Sequence, residues 1–230
     1  MAALAVIIPA AGSGTRLGSR LPKPFIPLNG KAILEHTIAQ FLPVEGLCQI
    51  IVATSKASFE RVERIFDNFK GTTVELTLVE GGAERQYSIE NALKYLSCGI
   101  ELVAIHDAVR PFVSKEKIEQ CAESALEYGG AILAVPAKDT IKKVDSTGII
   151  VETPNRANLW QAQTPQIFKK DLLLKAYKKA KEDNYLGTDD ASLVEYFGGK
   201  VKIIEGDRKN LKITYPIDLV IAEHIMLDRL

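Results

Sequence analysis

The chain has 230 residues, with 29 basic and 29 acidic side chains and a formal net charge of zero. That length allows one large domain with its own core, and a balanced charge gives no global field for nucleic acid or an anionic membrane. No apolar run approaches the ~20 residues of a bilayer-crossing helix, and 47 % hydrophobic with 25 % charged residues is ordinary globular usage.

The stretch from Met1 to Ile8 runs into Pro9 without a basic leader, so no secretory signal is expected. Cys48, Cys98 and Cys121 are odd in number and widely spaced. Neither a disulfide framework nor a zinc site follows from that spacing, and a reducing, cytoplasmic setting is the expectation.

Short β-rich runs alternate with stretches of helical period along the chain. Residues 3–9, 49–54, 73–79, 101–105, 131–135 and 201–204 read as strands, mostly continuous Val/Ile/Leu runs suited to burial on both faces. Between them, Leu34/Ile38/Phe41/Leu42, Phe59/Val62/Phe66/Phe69 and Ile89/Ala92/Leu93/Leu96 keep helical spacing. Ile118/Cys121/Ala122/Ala125 and Leu173/Ala176/Tyr177/Ala180 do the same, and a closing helix is predicted after Tyr215-Pro216. This alternation predicts an α/β fold, an open, mostly parallel sheet with helices on both faces. Ligands bind such sheets at the carboxyl ends of the strands.

Residues 138–152 break the rhythm. Two β-prone stretches, 140–144 and 149–152, flank the turn signal Asp145-Ser146-Thr147-Gly148. An isolated hairpin is marginal in water, so it either packs against a second subunit or folds onto its own domain.

The strongest local signal follows the first strand: Pro9-Ala10-Ala11-Gly12-Ser13-Gly14-Thr15-Arg16-Leu17-Gly18, then Pro22-Lys23-Pro24-Phe25. Small residues there let backbone N–H groups approach phosphate oxygens. Leu17 stands where a dinucleotide fingerprint needs its third glycine, and no Walker lysine follows. A lone G-x-G also fits a plain tight turn. Arg16 and Lys23 add two cations, which suit an enzyme that moves a phosphoryl-type group.

Two further segments fall at strand ends. Glu80-Gly81-Gly82-Ala83-Glu84-Arg85-Gln86-Tyr87-Ser88 permits close backbone approach to a flat base, with Ser88 available to its edge, or forms an ordinary turn with a helix start. In Ile105-His106-Asp107-Ala108-Val109-Arg110, Asp107 is the candidate to hold Mg²⁺ near a triphosphate. Arg110 is a candidate for a second anionic substrate, and His106 reads as structural.

The pattern Pro-Ala-Ala-Gly-x-Gly-x-Arg with Pro-Lys-x-Phe resembles the signature of sugar- and polyol-phosphate nucleotidyltransferases. Together with residues 80–88, 106–112, 138–142, 155–166, 188–195 and 210–214, it resembles the 2-C-methyl-D-erythritol 4-phosphate cytidylyltransferase family over nearly the whole chain. The resemblance implies a Rossmann-like domain over residues 1–230, a protruding β-hairpin arm at 138–160, and a homodimer whose sites are completed by the partner's arm. It implies that Arg16 and Lys23 stabilise the transition state on the CTP α-phosphate, and that Arg156 and Lys212 orient the acceptor phosphate. Ala10, Ala11, Gly12, Ser13, Gly14, Gly82 and Ser88 would contact CTP. Arg110, Thr140 and Thr188 would line the polyol-phosphate site, with Asp107 serving the metal.

Two positions depart from the family's habit: Pro24 follows the loop lysine in place of Gln, and Asn155 precedes Arg156 in place of an acidic residue. Ribitol 5-phosphate cytidylyltransferases share the loop and residues 106–112, but Arg156–Trp160 and 188–195 fit the methylerythritol family better. A nicotinamide-dependent oxidoreductase would need the missing glycine. A silent nucleotide-binding module would have lost Arg16 or Lys23.

Overall fold

The computed structural model describes residues 2–12 and 21–227. Arg16, Ser13 and Gly14 lie outside the described residues. The chain begins with strand β1 (Leu4–Pro9), whose side chains alternate between two buried faces. Leu4, Val6 and Ile8 enter one core, while Ala5 and Ile7 enter another. This is the period-2 alternation of a strand covered on both sides.

The first core is roofed by α1 (Ile33–Phe41), α2 (Phe59–Asp67) and α4 (Lys115–Tyr128), through Leu34, Ile38 and Phe41, Val62 and Ile65, and Ile118 and Cys121. The second is roofed by α3 (Arg85–Leu93), α5 (Lys170–Glu182) and α6 (Asp190–Tyr196), through Ile89 and Leu93, Leu173 and Tyr177, and Leu193. The remaining sheet strands are β4 (Leu47–Thr54), β5 (Glu75–Glu80), β6 (Leu102–Ile105), β7 (Gly130–Pro136), β10 (Trp160–Lys169) and β11 (Lys202–Glu205). Among the described residues the sheet is seven-stranded, in the order β11-β7-β10-β6-β1-β4-β5.

The strand order decides where a ligand can sit. From β1 the chain moves outward through β4 to β5, then returns to place β6 on the other side of β1. The loops leaving β1 and β6 therefore part in opposite directions and open a crevice at their carboxyl ends. All these pairings are parallel, as is β11 with β7. Within this seven-stranded sheet, only β10 runs antiparallel, between β6 and β7.

The six strands expected from the sequence are present within two residues at either end, and the closing helix is α7 (Pro216–Leu227). The long β10 was not anticipated as a strand. Its sequence carries Gln163, Thr164 and Pro165, and a proline normally argues against an interior strand. The fold accommodates it with a register irregularity between Ala162 and Gln166. Also unanticipated were the short hairpin β2 (Pro27–Leu28) with β3 (Lys31–Ala32), and α6. The last is closed at its start by a capping box in which Asp189 and Ser192 exchange hydrogen bonds.

The hairpin at 140–152 forms β8 (Lys143–Val144) and β9 (Ile150–Glu152), a two-stranded sheet separate from the main one. Residues 138–153 are exposed throughout. The arm therefore does not fold onto its own domain.

Phe168 of β10 is fully buried in the second core. Phe168→Ala should cost about 3–5 kcal/mol of unfolding free energy, read by urea denaturation. A loss below about 1 kcal/mol would contradict the packing described for β10.

Candidate active site

The crevice beside β1 holds a cavity of about 320 Å³ walled by Ala10, Ala11, Gly12, Lys23, Gly82 and Ser88, with Asp107 and Lys212 at its far side. The backbone ladder runs on into its floor: Ala10 N–H donates to Ala53 O at 2.7 Å and Gly81 N–H to Thr54 O at 2.8 Å. A Cβ on Gly81 would stand 2.6 Å from Ala11 Cβ, and one on Gly82 would stand 2.5 Å from Tyr87 Cβ. The glycines thus allow two loops and a helix start to converge.

Ser88 pins that loop, accepting from Gly82 N–H at 3.0 Å and facing Glu84 O at 3.1 Å. One proton satisfies the Glu84 carbonyl, so a ligand meets the hydroxyl chiefly as an acceptor. Lys23 lies in a 3-10 turn (Lys23–Phe25) with Pro22 before it and Pro24 inside it. It is buried, and its ammonium donates to Thr214 O at 2.8 Å.

A second cavity, also about 320 Å³, lies across Asp107 and is lined by Arg110, Gln163, Thr164, Gln166 and Thr188. Arg85, Asp107 and Lys212 belong to both cavities. At this shared wall Asp107 Oδ2 lies 3.0 Å from Lys212 Nζ and 3.2 Å from Arg110 Nε, and Oδ1 lies 3.5 Å from Arg85 Nε. Burial by itself would raise the Asp107 pKa, but Lys212, Arg85 and Arg110 together hold it well below the usual carboxylate range. One carboxylate among three cations leaves the wall net positive.

The surroundings fix each of these groups. Ile213 is buried in a small core with Ile26, Val109, Phe112 and Ile225, and its N–H donates to Val109 O at 3.0 Å. Lys212 and Thr214 flank that anchor and line the first cavity. Arg110 also donates from Nη1 to Asn210 O at 2.7 Å.

His106 is fully buried, and its Nε2 faces the Arg110 carbonyl at 3.0 Å. A carbonyl only accepts, so Nε2 carries the proton, and Nδ1 accepts from the Thr164 hydroxyl at 3.1 Å. Thr164 Oγ1 in turn accepts from Asp107 N–H at 3.0 Å. His106 thereby ties β10 to the end of β6.

Arg156 and Thr140 are not brought into these cavities within one chain. Thr140 is exposed on the arm, and Arg156 is exposed in a 3-10 turn (Arg156–Asn158), where it donates to Lys138 O at 2.7 Å. Asn155 caps that turn, accepting from Ala157 N–H at 3.0 Å.

The place of Arg85 was missed in the sequence, although it stands in the Glu80–Ser88 segment. So were Asp190, buried at the start of α6, and Gln163 and Thr164 on the unanticipated β10. Asp189 ahead of Ala191, Leu193 and Val194 is an N-cap residue type before an apolar run, the signal that would have pointed to α6.

A divalent cation can be tested against this donor set. Among the described residues no group of three or more His, Cys, Asp or Glu side chains is placed to hold a metal ion. Mg²⁺ commonly binds through one or two carboxylates plus substrate phosphates. Asp107 does not fit that mode, because Lys212, Arg110 and Arg85 already face its two oxygens and the wall around it is net positive.

The family model for 2-C-methyl-D-erythritol 4-phosphate cytidylyltransferase matches residues 4–228. A protein of that description from Caldanaerobacter subterraneus subsp. tengcongensis is 44 % identical over 221 residues, covering 96 % of this chain and 97 % of that one. The crystal structure of 4-diphosphocytidyl-2C-methyl-D-erythritol synthase from Anaerococcus prevotii superposes with a TM-score of 0.87 at 31 % identity, covering 98 % of this chain and 99 % of that one. The 2-C-methyl-D-erythritol 4-phosphate cytidylyltransferase of Thermus thermophilus superposes with a TM-score of 0.79 at 32 % identity, covering all of both chains.

Burial pushes the His106 imidazole down to about 4 from its ordinary 6.5. The unfolded chain takes up that proton first, so the stability held above 6.5 is lost as pH falls towards 4. Urea unfolding across this window should show a slope approaching about 1.4 kcal/mol per pH unit. His106→Gln should flatten it. The depressed Asp107 contributes mainly at lower pH, below the ordinary carboxylate value of 3.8. An unchanged slope in the variant would remove His106 as its source.

Proposed function

The chain belongs to the 2-C-methyl-D-erythritol 4-phosphate cytidylyltransferase family and is a nucleotidyltransferase, and on that premise we propose which of its residues move the cytidylyl group from CTP to the erythritol phosphate. The observation that carries the assignment is the pair of cavities divided by Arg85, Asp107 and Lys212. A transfer between two phosphate-bearing substrates needs two anion-binding rooms with a common positive wall. The family match leaves no support for the oxidoreductase alternative.

The first cavity takes CTP. Ala11 and Gly12, with Ser13 and Gly14 beyond the described residues, offer backbone N–H groups to the triphosphate, and Ala10, whose own N–H is held by Ala53 O, lines the wall. Gly82 and Ser88 meet the cytosine. The second cavity takes the acceptor, with Arg110 and Thr188 lining it and Lys212 at the boundary.

A phosphate-monoester oxygen of the acceptor attacks the α-phosphorus in line. A new P–O bond forms, the bond to the β-phosphate oxygen breaks, and pyrophosphate leaves. The monoester has a second pKa near ~6 and is already charged at neutral pH, so no strong general base is required. Lys23 and Arg16 neutralise charge on the α-phosphate as it builds, and Lys212 holds the attacking phosphate.

Arg156 and Thr140 enter from the arm of a second copy in a homodimer. Two features support this: the arm at 138–153 is exposed throughout, and Val144, Ile149, Ile150 and Val151 are each more than half exposed. Hairpins of this size need a packing partner. A cytoplasmic location accords with these substrates, and no helix among the described residues is long and apolar enough to cross a membrane.

Pyrophosphate release from CTP and Mg²⁺ should occur with methylerythritol 4-phosphate and not with ribitol 5-phosphate. The reverse pattern would keep the mechanism and overturn the acceptor. Lys23→Ala should lower kcat by about 10²–10³-fold while weakening CTP binding far less, and near-normal turnover would remove Lys23 from the chemistry. Mixed with inactive Arg156→Ala subunits, it should regain activity, because one site of the hybrid dimer keeps both residues. No recovery would place Arg156 in its own chain's site.

A further inference from the structure

We infer that Asp190 is a positioning residue for the transfer, acting through Arg85 to hold the wall between the two cavities. The inference rests on the cytidylyl-transfer reading above. Asp190 lines neither large cavity. It is fully buried at the first position of α6. Its Oδ1 accepts from the Tyr177 hydroxyl of α5 at 2.5 Å, and its Oδ2 lies 2.8 Å from Arg85 Nη1. The opposite edge of the same guanidinium turns its Nε to Asp107. A continuous path thus runs from the α5–α6 core, through Asp190 and Arg85, to the carboxylate at the shared wall.

Structural need does not account for this carboxylate. The start of α6 is already capped by Asp189 and Ser192, so Asp190 is not required as the cap. Burying a charge is costly, and apolar replacements of buried ion pairs are often neutral or stabilising. What Asp190 supplies is a fixed direction for Arg85. The Arg85 side chain is 32 % exposed and sits directly after the Gly81-Gly82 loop. Unanchored, it would swing over Asp107 or towards a substrate phosphate in the wrong register. Only a planar fork can face two carboxylates from two edges, so lysine would not substitute. Because Arg85 lines both cavities, its direction bears on both substrates together.

A double-mutant cycle on turnover tests this, with Asp190→Asn, Arg85→Met and the pair measured in full-length protein under the pyrophosphate-release assay. Asp190→Asn keeps the size of the side chain while removing its charge. It should lower kcat/KM by about 10- to 100-fold, and because the Arg85 cation loses its partner it should also lower the melting temperature, so turnover is read well below the unfolding transition. In the Arg85→Met background it should cost nothing further, the signature of action through Arg85. Equal losses in both backgrounds, or parental activity in Asp190→Asn, would overturn the inference. Should Asp190→Asn fail to fold, Tyr177→Phe, which removes only the hydroxyl on Oδ1, takes its place in the same cycle with the same criterion. An inactive parent enzyme would overturn the transfer reading and this inference with it. An active parent with additive losses overturns only the role of Asp190.

Discussion

The Asp107 carboxylate, caught between Arg85, Arg110 and Lys212, is the contact on which the rest of the site depends. The three cations come from the start of α3, the turn after β6 and the segment before α7, far apart in sequence. A buried carboxylate lacking such partners would take a proton rather than remain charged. Here it stays an anion, and its partners hold three chain segments around one point. The excess of positive charge is local, so a chain with no net charge can still present a strong anion site. Asp107 also divides the crevice, so the residue that organises the cations separates the two cavities.

The sheet supplies the place for that cluster. Reversal of the winding direction at β1 opens the crevice, and the two cores hold the strand ends rigid beneath it. The antiparallel β10 completes the second room by bringing Gln163, Thr164 and Gln166 beside the end of β6. The His106–Thr164 link makes β10 part of the same rigid body as Asp107. A neutral, buried histidine suits that task because its two nitrogens act as one donor and one acceptor at fixed directions. In-line phosphoryl chemistry asks for little more than such rigidity, since most of its barrier is lowered by alignment and charge neutralisation. A wall built of cations around one carboxylate accords with that demand.

Much of this was legible in the sequence, because local physics reports it. Continuous Val/Ile/Leu runs marked the parallel strands, helical spacing marked most of the helices between them, and glycines with two nearby cations marked the phosphate loop. The turn Asp145–Gly148 marked the hairpin, but its separation from the main sheet was decided only by the fold. The fold class, and the gathering of Lys23, Ser88 and Asp107 around one cavity, were therefore readable from residue types in order.

Tertiary structure alone decided the pairings. β10 was invisible because Gln163, Thr164 and Pro165 read as loop; they form the irregular stretch between the paired ends of the strand, held by tertiary hydrogen bonds such as Asn210 Nδ2 to Thr164 O. Arg85 looked like one more charge in a glycine-rich turn until folding placed Asp107 on one edge and Asp190 on the other. Residues 107 and 212, or 85 and 190, are a hundred or so positions apart, and no local pattern encodes which distant charge will be the partner. Sequence determines what each segment prefers by itself, through propensity, periodicity and turn chemistry. Which carboxylate meets which cation depends on desolvation and distance, and those exist only once the chain has closed around them.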